Sequence, residues 1–172
     1  MKLQIVAGSV RKEALGRTVA DWAKGIIGQV ENVNVELLDL RTFDLPLSLE
    51  QNADTAKWNE KLSEADAYVL ISPEYNHGYP AALKNALDHG HGWGGKPVLL
   101  VGYSVGPAAG IRAVEQLRPV VSELGMVQLK FALQIPSAQD TLSKESELKD
   151  QLGASLMRSI GDLHELATKL SH

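Results

Sequence analysis

Five apolar, β-rich runs separated by helical patterns are the feature of this chain that most limits its possible folds. The runs cover residues 3–7, 33–38, 67–72, 98–103 and 126–133. They are almost continuously apolar, which is typical of strands buried on both faces. Their alternation with helices predicts an α/β fold in which a five-stranded parallel sheet carries helices on both faces. We expect the strand order 2-1-3-4-5.

Each helical pattern places apolar residues on one face. The helix predicted over about residues 54–64 has Asp54 as its expected N-cap, and the last helix runs from about residue 144 to the end of the chain. Four helices have a clear apolar face. In chain order, from the first helix to the last, these faces are Leu15, Val19, Trp22 and Ile26; Leu83, Ala86 and Leu87; Ile111, Val114, Leu117, Val121 and Leu124; and Leu148, Leu152, Leu156, Ile160, Leu163 and Leu170.

Length, charge and cysteine content restrict the possible functions. A chain of 172 residues predicts one domain over residues 1–172. The net charge of −4 is spread along the chain, whereas a nucleic-acid interface needs clustered Lys and Arg. No apolar run approaches the roughly 20 residues of a membrane span, and the first strand leaves no room for a signal peptide. We therefore expect a cytoplasmic protein with neither nucleic acid nor membrane as a partner.

The chain contains no cysteine. Disulfides, thiolate nucleophiles and cysteine-ligated metals are therefore excluded. Any redox chemistry must be carried by a bound cofactor.

The loop after the first strand has the composition of an anion site. It reads Gly8-Ser9-Val10-Arg11-Lys12 and enters a helix N-terminus, where free amides and the helix dipole favour negative charge. Ser9 adds a hydroxyl, and Arg11 and Arg17 add positive charge. Both the P-loop and the Gly-x-Gly-x-x-Gly dinucleotide patterns are missing, so a monophosphate fits better. An ordinary βα turn capped by serine is the alternative.

Two further glycine-bearing loops follow the third and fourth strands, at residues 73–80 and 104–110. In a parallel sheet all three loops emerge at the carboxyl edge, where open α/β folds bind their ligands. The loop at residues 73–80 can offer main-chain groups to a flat heteroaromatic ring. Small residues in the loop at 104–110 allow a ligand to approach the backbone closely.

With these loops in place, the chain resembles the NADPH-dependent FMN reductase family, which includes quinone and azo-dye reductases. The resemblance implies a flavodoxin-like three-layer fold, non-covalent FMN, NADPH or NADH as co-substrate, a small-molecule electron acceptor, and a homodimer or homotetramer. It rests on the segments Gly8-Ser9-Val10-Arg11, Pro73-Glu74-Tyr75-Asn76, Leu83-Lys84-Asn85-Ala86-Leu87-Asp88, Gly95-Lys96-Pro97-Val98 and Gln116-Leu117-Arg118.

The resemblance also implies roles for individual residues, and no side chain need act as an acid or base. Ser9 and Arg11 would hold the FMN phosphate. Family phosphate loops usually continue with Ser and Asn where this chain has Ala14 and Gly16, so two side-chain donors are missing, and Arg17 could substitute for them. The residues implied around the flavin ring are Pro73, Glu74, Tyr75, Asn76, His77, Gly78, Ser104 and Gly106.

Several other polar or aromatic residues need an interpretation. We expect Glu74 to make structural or cross-subunit hydrogen bonds rather than to act as a general base. His89 and His91 form a His-x-His pair with no third ligand nearby, so an interface loop is a better interpretation than a metal site. Trp93, between two glycines, is expected to cover a neighbouring subunit or the flavin edge. Arg112 and Arg118 lie on a helix near the loop at residues 104–110, and one of them could receive a nicotinamide phosphate; solvated helix arginines are the alternative interpretation.

Two other functions remain open at this point. An electron-transfer flavoprotein would usually carry a hydroxyl-rich Thr/Ser-x-Thr-Gly-Asn-Thr loop and a strongly acidic surface, neither of which is present. A flavodoxin-like binding or regulatory module with weak FMN affinity is the second alternative, and Ala14 and Gly16 favour it.

Overall fold

The computed structural model describes residues 1–12 and 15–171. Strands and helices alternate along the chain, with a short 3-10 helix at Leu40–Thr42. The strands are β1 Lys2–Ala7, β2 Asn34–Asp39, β3 Ala67–Pro73, β4 Pro97–Tyr103, β5 Val127–Gln128 and β6 Leu133–Ile135. The helices are α1 Leu15–Ile27, α2 Ala53–Ser63, α3 Ala81–His89, α4 Ile111–Glu123, α5 Ala138–Ser143 and α6 Glu147–Leu170.

The sheet is parallel in every strand pair, with the order β2-β1-β3-β4-β5, and β6 also pairs with β4. Every residue of β3 and β4 is buried, as expected for central strands covered on both faces. The predicted α/β fold, its parallel sheet and its strand order are confirmed. The predicted fifth strand is wrong in one respect, because it forms two short strands separated by residues 129–132.

Two apolar cores fill the space on either side of the sheet. One lies under α1, α5 and α6 and includes Val19, Ile71 and Leu156. The other lies under α2, α3 and α4 and includes Trp58 and Leu83. Helices therefore cover both faces of the sheet and leave its carboxyl edge available to loops.

Several predicted details of the helices are wrong. The N-cap of α2 is Asn52 rather than Asp54, since Asn52 and Thr55 form a reciprocal capping box. Asp54 lies in the first turn and accepts a hydrogen bond from the backbone of Asp44. Three residues expected on apolar inner faces are exposed, namely Ile111, Leu148 and Leu170.

Trp93 belongs to the second core, contrary to the expectation that it covers a subunit or flavin edge. It is 2% exposed, and its indole N–H donates to the carbonyl oxygen of Leu87 at 3.2 Å. Its ring meets those of Tyr68 and Trp58 edge-to-face, at centroid distances of 4.7 and 6.2 Å. The two flanking glycines therefore lie beside a buried indole.

His89 is also a core residue. It is 2% exposed, and its Nε2–H donates to the carbonyl oxygen of Pro46 at 2.8 Å. His91 is exposed. The interpretation of these two histidines as an interface-loop pair is therefore wrong for His89, which fixes the loop before α2 against α3.

Within residues 1–12 and 15–171, no helix has the length and apolar character that crossing a bilayer requires.

We predict that Trp93→Ala lowers the free energy of unfolding by about 3–5 kcal/mol, because it leaves a cavity beside two other rings. Phe131→Ala is the matched control, since Phe131 is 75% exposed, and its effect should stay within about 0.5 kcal/mol. Urea unfolding followed by circular dichroism measures both. Equal effects would contradict the core position of Trp93.

Candidate active site

Main-chain hydrogen bonds join the loops at the carboxyl edge of the sheet. The Gly8 N–H donates to the Ile71 carbonyl at 2.9 Å, and the Glu74 N–H donates to the Tyr103 carbonyl at 3.2 Å. These bonds continue the parallel ladder past the ends of β1 and β3. The loops after β1, β3 and β4 are therefore held side by side.

This arrangement leaves no room for a side chain at Gly8. A Cβ at this position would lie 2.8 Å from the Ile71 carbonyl oxygen and 3.0 Å from a Leu83 methyl carbon. Backbone at that distance cannot yield without breaking the strand contact. Only glycine allows the loop after β1 to begin so close to β3 and α3.

A cavity of about 650 Å³ opens between these loops and α5. Its volume is in the range of small-molecule and cofactor sites. Six residues predicted to bind the cofactor line this cavity, namely Ser9, Arg11, Pro73, Glu74, Tyr75 and Ser104. Other lining residues were not predicted from the sequence. The lining residues are Ser9, Arg11, Leu15, Gly16, Thr18, Pro73, Glu74, Tyr75, Tyr103, Ser104, Val105, Gln139 and Ser143.

One end of the cavity combines hydroxyl groups with a guanidinium. The Ser9 and Tyr75 hydroxyl oxygens lie 2.8 Å apart, and the Arg11 guanidinium lies 5.7 Å from the centre of the Tyr75 ring. Arg11 is the one basic side chain among the described residues that line the cavity. This end has the donors and the charge that an anion needs.

Glu74 is held as a carboxylate on the other side of the loop after β3. Its side chain is 5% exposed and pairs with the Arg112 guanidinium. The backbone N–H of Arg112 also donates to the Glu74 Oε2 at 3.2 Å. Burial by itself would raise the pKa of Glu74, but the hydrogen bonds from the Arg112 side chain and backbone outweigh it and lower the pKa. A carboxylate held in this way is unsuited to donate a proton near neutral pH.

Arg112 therefore contacts the loop after β3. Besides Glu74, its guanidinium contacts the ring Nε2 of His77 at 3.1 Å. The expectation that Glu74 makes structural hydrogen bonds is met within this chain.

Residues 75–78 form a tight turn. Tyr75 and Gly78 exchange two main-chain hydrogen bonds of 2.8 and 3.0 Å. The two central residues, Asn76 and His77, have φ of 49° and 67°, in the left-handed region that costs non-glycine residues conformational energy. Both are exposed, and with Gly78 they lie beyond the described lining of the cavity.

Arg17 is directed away from the cavity. Its Nε donates to Asp21 at 2.7 Å, and its guanidinium lies 3.5 Å from the Asp39 carboxylate. The hydrogen bond to Asp21 raises the pKa of Arg17 further. Arg17 is therefore not among the described residues that line the cavity. Ala14, the other altered position of this loop, lies outside the described residues.

The loop after β4 closes another side of the cavity. Ser104 lines the cavity. Its hydroxyl donates to the Gly106 carbonyl at 2.7 Å, so Gly106 fixes the Ser104 side chain. Tyr103, Gln139 and Ser143 were missed by sequence reasoning. In the sequence, Tyr103 is indistinguishable from any other apolar strand residue, and α5 contains no motif that indicates a site.

Comparison with known proteins identifies the family of this chain. The family model described as NADPH-dependent FMN reductase matches residues 1–140. The chain belongs to that family. It is 33% identical to an NAD(P)H-dependent FMN reductase of Schizosaccharomyces pombe, over 96% of this chain and 90% of the relative. It is 31% identical to a quinone reductase of Pseudomonas putida, over 78% and 74%.

Solved structures of the same fold cover almost the whole chain. The flavoenzyme NAD(P)H:(acceptor) oxidoreductase of Paracoccus denitrificans has a TM-score of 0.73 at 19% identity, over 99% of this chain and 97% of that chain. An apo NADH:FMN oxidoreductase has a TM-score of 0.74 at 20% identity, over 98% and 89%. At this identity the likeness shows the fold alone. The flavodoxin-like expectation is confirmed.

Membership of the FMN reductase family confirms the predicted enzyme class and its cofactors. The protein is an NAD(P)H-dependent oxidoreductase that uses FMN. The assignment of individual residues to the cofactor stays a prediction.

We predict that Arg112→Gln raises the pKa of Glu74 and lowers the free energy of unfolding at neutral pH by about 1–3 kcal/mol, since it leaves a buried carboxylate without its charged donor. Because the folded-state pKa of Glu74 is lowered, the stability from this pair is present above the ordinary carboxyl pKa. It is lost as the pH falls through the folded-state value.

The matched control is Lys169→Gln, which removes one charge from a pair whose two side chains are both 67% exposed. Such pairs contribute little to stability. Denaturant unfolding at several pH values measures both variants. A loss in Arg112→Gln that does not shrink in acid would contradict the role given to Glu74.

Proposed function

We propose that FMN binds in the cavity at the carboxyl edge, with its phosphate at the end formed by Ser9 and Arg11 and its ring against the loop at residues 73–78. NADPH or NADH is the electron donor, and a small quinone-like or azo compound is the acceptor. When bound, FMN supplies the redox chemistry by accepting a hydride and passing the electrons on. The observation that supports the proposal most is the pairing of an anion end and an open loop in one cavity.

The residues of the cavity suit this cofactor. FMN is elongated, with a dianion at one end and a flat ring at the other. Ser9, Arg11 and the adjacent N-terminus of α1 supply hydroxyl, guanidinium and amide donors at one end. Pro73 and Tyr75 supply flat and apolar surface next to exposed backbone of the turn.

In this proposal the chain binds and orients, and does not transfer protons through a carboxylic acid. Glu74 is kept ionised by Arg112 and fixes the loop after β3. Asn76, His77 and Gly78 are proposed to present main-chain groups to the ring, and Ser104 with Gly106 to close its far side. Arg17 is proposed to act through the general positive potential, because its guanidinium is paired with Asp21 and Asp39.

The acceptor is proposed from the relatives' names. Besides the quinone reductase above, a 2-hydroxy-1,4-benzoquinone reductase of a Burkholderia species is 29% identical to this chain. A quinone is flat like a nicotinamide and can occupy the same space after the oxidised dinucleotide leaves. This predicts ping-pong kinetics.

The remaining expectations are proposals of the same kind. We propose that residues 1–172 act as one FMN-binding domain, that the protein is a homodimer or homotetramer, and that it is cytoplasmic. Light scattering that gives a single 18.6 kDa chain at working concentration would contradict the oligomer. Cell fractionation tests the location.

We predict that the purified protein, mixed with FMN and desalted, keeps the visible flavin bands, and that NADPH bleaches them without oxygen. Added quinone should restore the bands. A colourless protein that nevertheless oxidises NADPH when FMN and quinone are supplied would mean that FMN is a loosely held substrate. A protein that neither retains FMN nor oxidises NADPH would favour the binding module.

We predict that Arg11→Gln weakens FMN binding about tenfold or more, since hydrogen bonds to charged groups contribute about 1.5–3 kcal/mol. Riboflavin, which lacks the phosphate, should bind both proteins alike. The matched control is Lys12→Gln, which removes the same charge from the same loop at a residue outside the described cavity lining. Flavin fluorescence quenching measures both ligands, and equal losses for FMN and riboflavin would contradict the phosphate contact.

A further inference from the structure

Tyr103 places a buried hydroxyl at the anion end of the cavity. It is the last residue of β4, whereas Ser9 and Gly16 follow β1. Because β3 lies between β1 and β4, the Tyr103 ring must pass the end of β3 to reach them. The residue is 3% exposed and lines the cavity, so its hydroxyl belongs to the wall and not to the solvent surface.

Gly16 makes room for this hydroxyl. A Cβ at position 16 would lie 2.6 Å from the Tyr103 hydroxyl oxygen and 3.0 Å from the Ser9 Cβ. A side chain at position 16 would therefore displace the tyrosine. The sequence predicts the loss of a donor at Gly16, and the structure has a hydroxyl from another strand in the same space.

The Tyr103 hydroxyl lies close to the other donors at this end of the cavity. The position of a Cβ on residue 16 would be close to both the Tyr103 hydroxyl and Ser9, and the Ser9 and Tyr75 hydroxyl oxygens lie 2.8 Å apart. Each hydroxyl has one proton to donate, and the contact between Ser9 and Tyr75 uses one of the three. The Tyr103 proton can therefore serve a ligand in the cavity, where Arg11 supplies positive charge.

We propose that the Tyr103 hydroxyl donates a hydrogen bond to the FMN phosphate, from the space that a side chain at position 16 would otherwise fill. This inference rests on the proposed function, since it assumes that FMN binds with its phosphate at this end. In this proposal one phosphate ligand comes from β4 and not from the loop after β1.

The surroundings of Tyr103 favour a donor role. Burial raises the pKa of its hydroxyl above the ordinary value, so the group carries its proton at neutral pH and can donate it. A hydrogen bond to a dianion is also stronger in a site shielded from water. The buried ring has little freedom, and its hydroxyl is positioned before the ligand arrives.

The test is the affinity of Tyr103→Phe for FMN and for riboflavin, measured by flavin fluorescence quenching. We expect the FMN dissociation constant to rise about tenfold or more and that for riboflavin to stay unchanged. Tyr68→Phe is the matched control: Tyr68 is equally buried, but its hydroxyl donates to the Leu62 carbonyl at 2.7 Å on the opposite face of the sheet. It should leave both constants unchanged.

The outcomes separate this inference from the proposed function. Equal weakening of FMN and riboflavin would give Tyr103 a structural role only, and no change in either would exclude contact with the phosphate. A wild-type protein with no preference for FMN over riboflavin would instead overturn the proposed position of the phosphate. Phosphorus NMR of bound FMN gives a second readout, because loss of a direct donor should shift the phosphate resonance.

Gly16→Ala tests the same contact from the other side. Its Cβ should displace the tyrosine and weaken FMN binding selectively, whereas Gly25→Ala in the same helix should not, since a Cβ there meets nothing within 4 Å. In the Tyr103→Phe background, Gly16→Ala should weaken FMN binding less than it does in the wild type. Additive effects of the two substitutions would overturn the proposed contact.

Discussion

The parallel register of β1, β3 and β4 is the constraint on which the candidate site depends. Ala7 pairs with Ile71, and Pro73 pairs with Tyr103, so β1 ends two residues before β3 and β4 at the same edge of the sheet. Main-chain hydrogen bonds then carry the pairing one residue further, into the loops. A one-residue slip of β3 would invert its side chains between the two faces and move the loop after it away from Ser9. Core packing and site geometry are therefore fixed by the same bonds.

Charge at this edge is distributed unevenly for a physical reason. Arg112 is held by the nearly buried carboxylate of Glu74, and Arg17 by Asp21 and Asp39. Among the residues that the structure describes, no carboxylate pairs with Arg11. An entering anion thus meets one guanidinium that is not paired with any described carboxylate, while the other two hold the loops and α1 in place. Arg17 was predicted to bind the phosphate because it is close to Arg11 in the sequence, but its guanidinium contacts Asp21 and Asp39 instead.

The fold could be predicted from the sequence because strands buried on both faces leave long apolar runs, and helices between them leave a clear period. That the loop after β1 lines the cavity could be predicted because Gly8, Ser9 and Arg11 lie close together in the chain. Trp93 could not be placed, since nothing local shows that two other rings surround it. The same holds for Tyr103, whose hydroxyl reaches Gly16 across an intervening strand.

Gly16 shows how an unfavourable local choice becomes favourable in the tertiary structure. Glycine in a helix costs about 1 kcal/mol relative to alanine, and it removes a side chain from a loop that needs donors. Yet a Cβ there would exclude the Tyr103 hydroxyl, a donor whose position is fixed by a central strand instead of a loop. A hydroxyl held by β4 loses little entropy when an anion binds, whereas a loop side chain would have to be ordered at that moment. Position 16 is therefore best understood together with position 103, and neither can be interpreted from the phosphate loop alone.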